Sequence, residues 1–117
     1  MSRYDVIIIG AGPGGIFAAY ELAKKAPELK VAVFEAGNSL EKRKCPIDGK
    51  KIKSCINCKT CAIMSGFGGA GAFSDGKYNI TNDFGGTLYE YIGKDTAIDL
   101  MKYVDEINLA YGGEGTK

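Results

Sequence analysis

Histidine does not occur anywhere in the 117 residues. Its absence removes His-based general base catalysis, Ser-His-Asp triads and Cys/His zinc fingers from this chain. Long apolar runs are missing too. None approaches the roughly 20 residues of a membrane span. Val6–Ile9 is too short for the core of a signal peptide and is broken by Gly10 to Gly15. An excess of one charge sign is also lacking. The formal net charge is +1 with 25% charged residues, which argues against nucleic-acid or membrane-surface binding by the chain as a whole. These absences point to a cytoplasmic protein of one domain. In a reducing compartment, four cysteines are metal or redox ligands sooner than disulfides.

Glycine is what the chain has in excess: 17 residues where average usage would give roughly 8. Most fall in three clusters, at 10–15, 66–76 and 112–115, so backbone there must turn tightly or approach something closely. Tyr4–Ile9 reads as a continuously apolar, β-branched strand of the kind buried on both faces of a parallel sheet. Gly14 to Lys25 reads as a helix with Ile16, Ala19, Tyr20 and Ala23 on one face, ended by Pro27. Val31–Phe34 reads as a second strand. Strand, helix and strand make a right-handed βαβ crossover over residues 4–36.

The rest is less regular. Residues 41–66 read as a basic, cysteine-bearing insertion, and 66–77 as a glycine-rich loop with a hairpin signal at Asp75-Gly76. Residues 87–111 read as helical. Thr87-Leu-Tyr-Glu90 matches a capping box. A longer helix over Asp95 to Ala110 lines Ala97, Leu100, Met101, Val104, Ile107 and Tyr111 on one face, with Gly112 placed to cap it.

Gly10-Ala11-Gly12-Pro13-Gly14-Gly15 gives G-x-G-x-x-G between strand and helix, and each glycine has its own mechanical task. Gly10 permits the turn, Gly12 lets a pyrophosphate approach the backbone, and Gly15 lets the helix pack on the strand. The pyrophosphate would rest on unpaired N–H groups at the positive end of the helix dipole. Glu35 follows 20 residues after Gly15, closing the second strand, where a carboxylate accepts the adenosine ribose hydroxyls and repels a 2′-phosphate. Strand, glycines, helix, strand and acid in this order form an adenine-dinucleotide site, with Ile9 and Ala36 flanking it. FAD and NAD both use such a turn, and physics alone leaves the two near even.

Residues 42 to 59 hold seven Lys or Arg against one acid, Asp48, so the segment carries +6 and the remainder −5. Within it lie Cys55-Ile-Asn-Cys58-Lys-Thr-Cys61, a C-x-x-C-x-x-C run, and Cys45-Pro46 upstream. Four thiolates from one loop suit tetrahedral zinc or an iron–sulfur cluster, although in ferredoxin-type segments the proline-linked cysteine comes last. Redox-active thiols without metal and incidental thiols in a solvated basic loop are the alternatives. In the second glycine loop, Ser65 to Lys77, consecutive small residues would let backbone amides face a pyrophosphate or a flavin ring. No acid or base is assigned. Ser74, Asp75 and Lys77 are the catalytic candidates.

The chain resembles the uncharacterised FAD-dependent dehydrogenase family, within the flavoprotein superfamily that includes geranylgeranyl-reductase-like and glutathione-reductase-like enzymes. The resemblance rests on the Gly10–Gly15 motif, Glu35, Arg43-Lys44-Cys45-Pro46, the C-x-x-C-x-x-C run and Gly68-Gly-Ala-Gly-Ala-Phe-Ser-Asp-Gly-Lys77. It implies an α/β fold: a partial Rossmann-like FAD/NAD(P)-binding domain, then an irregular Cys/Gly-rich segment and a C-terminal helix. It implies FAD bound by Gly10 to Gly15 and Glu35, with Arg43 near the adenosine. Members of that family are several times longer, so an N-terminal fragment of a flavin-dependent oxidoreductase is expected, its substrate or redox partner lying beyond this sequence. The competing expectations are an iron–sulfur or zinc electron-transfer module on a βαβ scaffold, and an NAD-binding subunit without flavin.

Overall fold

The computed structural model describes residues 3–113. Gly115, from the third glycine cluster, lies outside the described residues. The chain divides after Ser74 into two compact units, the first mixed α/β and the second helical.

In the first unit, Val6–Ile9 forms strand β1, Pro13–Lys25 helix α1 and Val31–Phe34 strand β2. The strands pair in parallel, from Val6 opposite Val31 to Ile9 opposite Phe34. Pro13 opens α1 at its first turn, where the missing N–H would have had no helical partner and the fixed φ is already helical. Lys24 and Lys25 occupy the last turn and suit the negative end of the dipole. Helix α1 packs on both strands, and Val6 and Ile8 are half-buried. Ile7, Ile9 and Phe34 remain 57%, 81% and 53% exposed. Burial of β1 on both faces is therefore not what forms: one helix can shield only one face of a two-strand sheet, and β1 alternates half-buried with exposed positions.

Residues 35–74 hold two short 3-10 turns, Leu40–Lys42 and Gly69–Phe73, and a charged strut in place of a hydrophobic core. Arg43 is only 4% exposed. Its Nε donates to the carbonyl of Ala62 at 2.8 Å, and its two terminal nitrogens donate to Phe67 at 2.6 Å and Ile63 at 2.7 Å. The guanidinium also lies 4.9 Å from the centroid of the Phe73 ring, within cation–π range. Hydrogen bonds from a charged group contribute about 1.5–3 kcal/mol each, so this one side chain supplies much of what an irregular segment needs to stay ordered.

The hairpin expected at Asp75-Gly76 does not form. Gly68 and Gly69, both at positive φ, turn the chain into the 3-10 helix instead. Asp75 accepts the backbone N–H of Lys77 at 3.2 Å, a local side-chain bond of the kind that competes with a sheet ladder.

In the second unit, Leu88–Ile92 forms α2 and Lys94–Ala110 forms α3, divided by Gly93 at φ +85. Thr87 stands at the N-cap of α2, but its hydroxyl makes no cap bond. Its carbonyl takes the N–H of Glu90 at 2.9 Å, so the helix begins where the motif suggested without the reciprocal box. On α3, Ala97 is fully buried, and Met101, Val104 and Ile107 are half-buried. Leu100 and Tyr111 face outward. Asp105 is buried; burial of Tyr78, together with the Asp105 carboxylate, pushes the Tyr78 hydroxyl above its ordinary pKa. Gly112, at φ +99, ends α3 as expected.

Candidate functional site

The G-x-G-x-x-G turn sits between β1 and α1, and its glycines divide into two kinds. A Cβ on Gly15 would fall on the Gly10 carbonyl and against Ile8. Gly10 itself is at φ +97. These two glycines serve the fold. Gly12 differs: its φ is −80, which any residue adopts, and a Cβ there would meet open space. Nothing within the chain requires a glycine at position 12, and the space beside it is open. Gly12 also caps α1 without any side-chain hydrogen bond, and the first turn of α1 carries no acid. The leading N–H groups of a 13-residue helix therefore keep the partial positive charge that attracts an anion.

Glu35 reaches this turn from the end of β2. Its Oε2 accepts the N–H of Ala11 at 2.8 Å, and its Oε1 accepts the N–H of Gly37 at 2.8 Å. Those two bonds, and more weakly the charge of Arg43, hold its carboxyl below the ordinary value. An ionised carboxylate offers about four acceptor sites, so two backbone bonds leave capacity for two hydroxyls. Beside it opens a cavity of about 320 Å³ lined by Glu35, Asn38, Leu40, Glu41 and Phe67, among others. Glu41 is also held below its ordinary value, by its own backbone N–H and the Ser39 hydroxyl. Two carboxylates at one rim suit a neutral polyol and disfavour a phosphate monoester.

Sequence reasoning missed how close the second glycine loop lies. The N–H of Gly68 donates to the Ala11 carbonyl at 2.7 Å, and that of Phe67 donates to Asn38 at 3.0 Å. A Cβ on Gly69 would come within 3.1 Å of Gly12 and Pro13, so the two loops stack backbone on backbone. Paired runs of glycine were the available signal, but a sequence does not state which of its loops touch. Arg43 holds the segment that leads into the second loop, with its donors spent on Ala62, Ile63 and Phe67.

The other singled-out residues lie elsewhere. Ile9 and Ala36 are exposed beside the turn and Glu35, and Ser74 ends the 3-10 helix of the second loop. Asp75 and Lys77 belong to the second unit, exposed and joined by a 3.4 Å ion pair. Cys45, Cys55, Cys58 and Cys61 are all free thiols. Among the described residues, no three Cys, Asp or Glu side chains are drawn together tightly enough to hold one metal ion. No helix among the described residues is long and apolar enough to cross a membrane.

Comparison with known proteins places the similarity on this same site. The model of the Thi4 family matches residues 1–41. The thiamine thiazole synthase of Yarrowia lipolytica is 64% identical over 33 residues, 28% of this chain and 10% of that protein. That of Candida albicans (strain SC5314) is 54% identical over 35 residues, 30% of this chain and 10% of its own length. An uncharacterised protein of Clostridium beijerinckii is 39% identical over 71 residues, 61% of this chain and 13% of that protein. The chain thus spans about a tenth of the length of the curated relatives it matches. No solved structure matches significantly. The likeness is of a flavoprotein type and gives no support to dehydrogenase activity in particular.

Proposed function

We propose that the first unit is the adenine-dinucleotide-binding part of an FAD-dependent enzyme, a partial Rossmann-like domain. One observation carries the reading: Glu35 Oε2 lies 2.8 Å from the Ala11 N–H, so the acid closing β2 and the glycine turn leaving β1 share one site. The fit of the cofactor rests on Gly12, whose missing Cβ leaves open space at the head of α1. There the N–H groups of Gly14 and Gly15 would take the pyrophosphate. The free lone pairs of Glu35 would take the ribose hydroxyls, and the cavity beside Leu40 and Phe67 would receive the base. When bound, a flavin supplies electron transfer and the protein supplies position and electrostatics.

In this reading Arg43 is a positioning residue: it braces the loop of Gly66 to Phe73 against the glycine turn. Oxidoreductase chemistry of a dehydrogenase type is proposed from the resemblance of the second glycine loop, with Ser74 the candidate that lies within this unit. The two thiamine thiazole synthases match this chain over stretches of only 33 and 35 residues. What they support is the nucleotide site, not thiazole chemistry. A second reading, NAD in place of FAD, uses the same turn. Equilibrium dialysis of the 117-residue chain against FAD, NAD and NADP separates them. FAD retained above NAD, with NADP weakest, supports the proposal. NAD retained above FAD selects the second reading, and NADP binding best would refute the role of Glu35.

A further inference from the structure

The four thiols of the basic segment line one hollow. Cys45, Cys55, Cys58 and Cys61 surround a cavity of about 330 Å³ whose wall is completed by apolar side chains, Ile47 and Ile56 among them. The lone acid of the segment shapes it. Asp48 Oδ1 accepts the N–H groups of Lys50 at 2.8 Å and Ile52 at 2.9 Å, and the Asp48 N–H donates to the Ile52 carbonyl at 3.0 Å. This turn, with Gly49 at φ +73, reverses the chain between Cys45 and the C-x-x-C-x-x-C run. A local bend also prepares one sulfur. Asn57 sits at φ +53 and its N–H donates to Cys55 Sγ at 3.4 Å, while that thiol donates to Asn57 Oδ1 at 3.7 Å. Backbone N–H groups aimed at sulfur are among the features that tune iron–sulfur sites.

A single ion and a cluster make different demands on four thiols. Zinc holds each sulfur at about 2.3 Å, which forces four cysteines into mutual contact around a point. Among the described residues the thiols do not converge in that way; they stand around a space much larger than an ion. A cluster brings its own sulfides and gives each cysteine a different iron, so it fills such a space, and two-residue gaps are the spacing cluster loops use. Four thiolates on a [4Fe–4S] core leave a net negative charge, and the +6 of residues 42 to 59 offsets it. We propose that Cys45, Cys55, Cys58 and Cys61 ligate an iron–sulfur cluster of the four-iron type. The proposal does not depend on the nucleotide reading.

The test is anaerobic reconstitution of the 117-residue chain with ferrous iron and sulfide under a thiol reductant, followed by desalting. Iron and acid-labile sulfide are then assayed, with electron paramagnetic resonance after dithionite. A parallel sample receives zinc alone. The expected result is about four iron and four sulfide per chain, with a paramagnetic signal on reduction. Each single Cys→Ser variant should fall below half that content at an unchanged far-ultraviolet circular dichroism spectrum, and Lys25→Ala should keep it. Iron no higher than in a variant with all four Cys→Ser would overturn the proposal. So would zinc taken up at one per chain while iron and sulfide are refused.

Discussion

At the scale of single residues, the two internal glycines of the turn make opposite predictions. Gly15→Ala forces a methyl group onto the Gly10 carbonyl, and such overpacking costs about 1–3 kcal/mol; the thermal midpoint should drop. Gly12→Ala meets nothing in the chain, so stability should hold or rise slightly while FAD affinity falls at least tenfold. Calorimetry with and without FAD checks both, and a Gly12→Ala chain that still binds would remove the pyrophosphate from this turn. Glu35 adds a pH dependence. Its folded-state pKa lies below the ordinary value of 4.5, so its contribution is complete above that value. That contribution is lost as pH falls through the lowered folded value. FAD affinity should therefore be flat from neutral pH down to about 4.5 and decline below it, and Glu35→Gln should weaken binding at all these pH values. A binding titration across pH in which Glu35→Gln matches the unaltered chain would remove the ribose contact.

At the scale of elements, β1, α1 and β2 were legible because each obeys local rules. Four β-branched residues in a row, a proline just past the helix and an apolar face at helical spacing need no knowledge of the rest of the chain. Helices α2 and α3 were legible for the same reason. The hairpin at Asp75-Gly76 was misread because the turn residues were real but the strands were not, and a 3-10 helix had already used Gly69 to Phe73. The stacking of the two glycine loops could not be read at all. Arg43, expected near the adenosine from the family resemblance, is buried, with its donors on the carbonyls of Ala62, Ile63 and Phe67. Arg43→Ala should remove three hydrogen bonds from a charged donor and destabilise the first unit, each such bond contributing about 1.5–3 kcal/mol at most. Arg43→Lys should restore little, since one ammonium cannot reproduce a planar fork over Phe73. Chemical denaturation followed by circular dichroism measures this, and a lysine variant as stable as arginine would show the fork to be dispensable.

At the scale of the whole molecule, each unit is thinly cored. Ala11 and Ala97 are the buried apolar residues, and no large side chain is fully buried among the described residues. Ile7, Ile9 and Phe34 share the exposed sheet face, and both strands have an unpaired edge. Edges and apolar patches of this kind promote association. The 117-residue chain should scatter light as a concentration-dependent assembly, and Ile7→Lys, on the same exposed face and outside the proposed nucleotide site, should lower that tendency. Concentration-independent monomer behaviour of the unaltered chain would contradict it.

The central claim is that a nucleotide's phosphates rest on the backbone at the head of α1 while its sugar meets Glu35. Amide chemical shifts of the 117-residue chain, followed by NMR during titration with FAD, test this most directly. Saturable shifts are expected at Gly12, Gly14, Gly15 and Ala11, abolished in Gly12→Ala. Saturable shifts confined to other residues, or none at millimolar FAD, would contradict it.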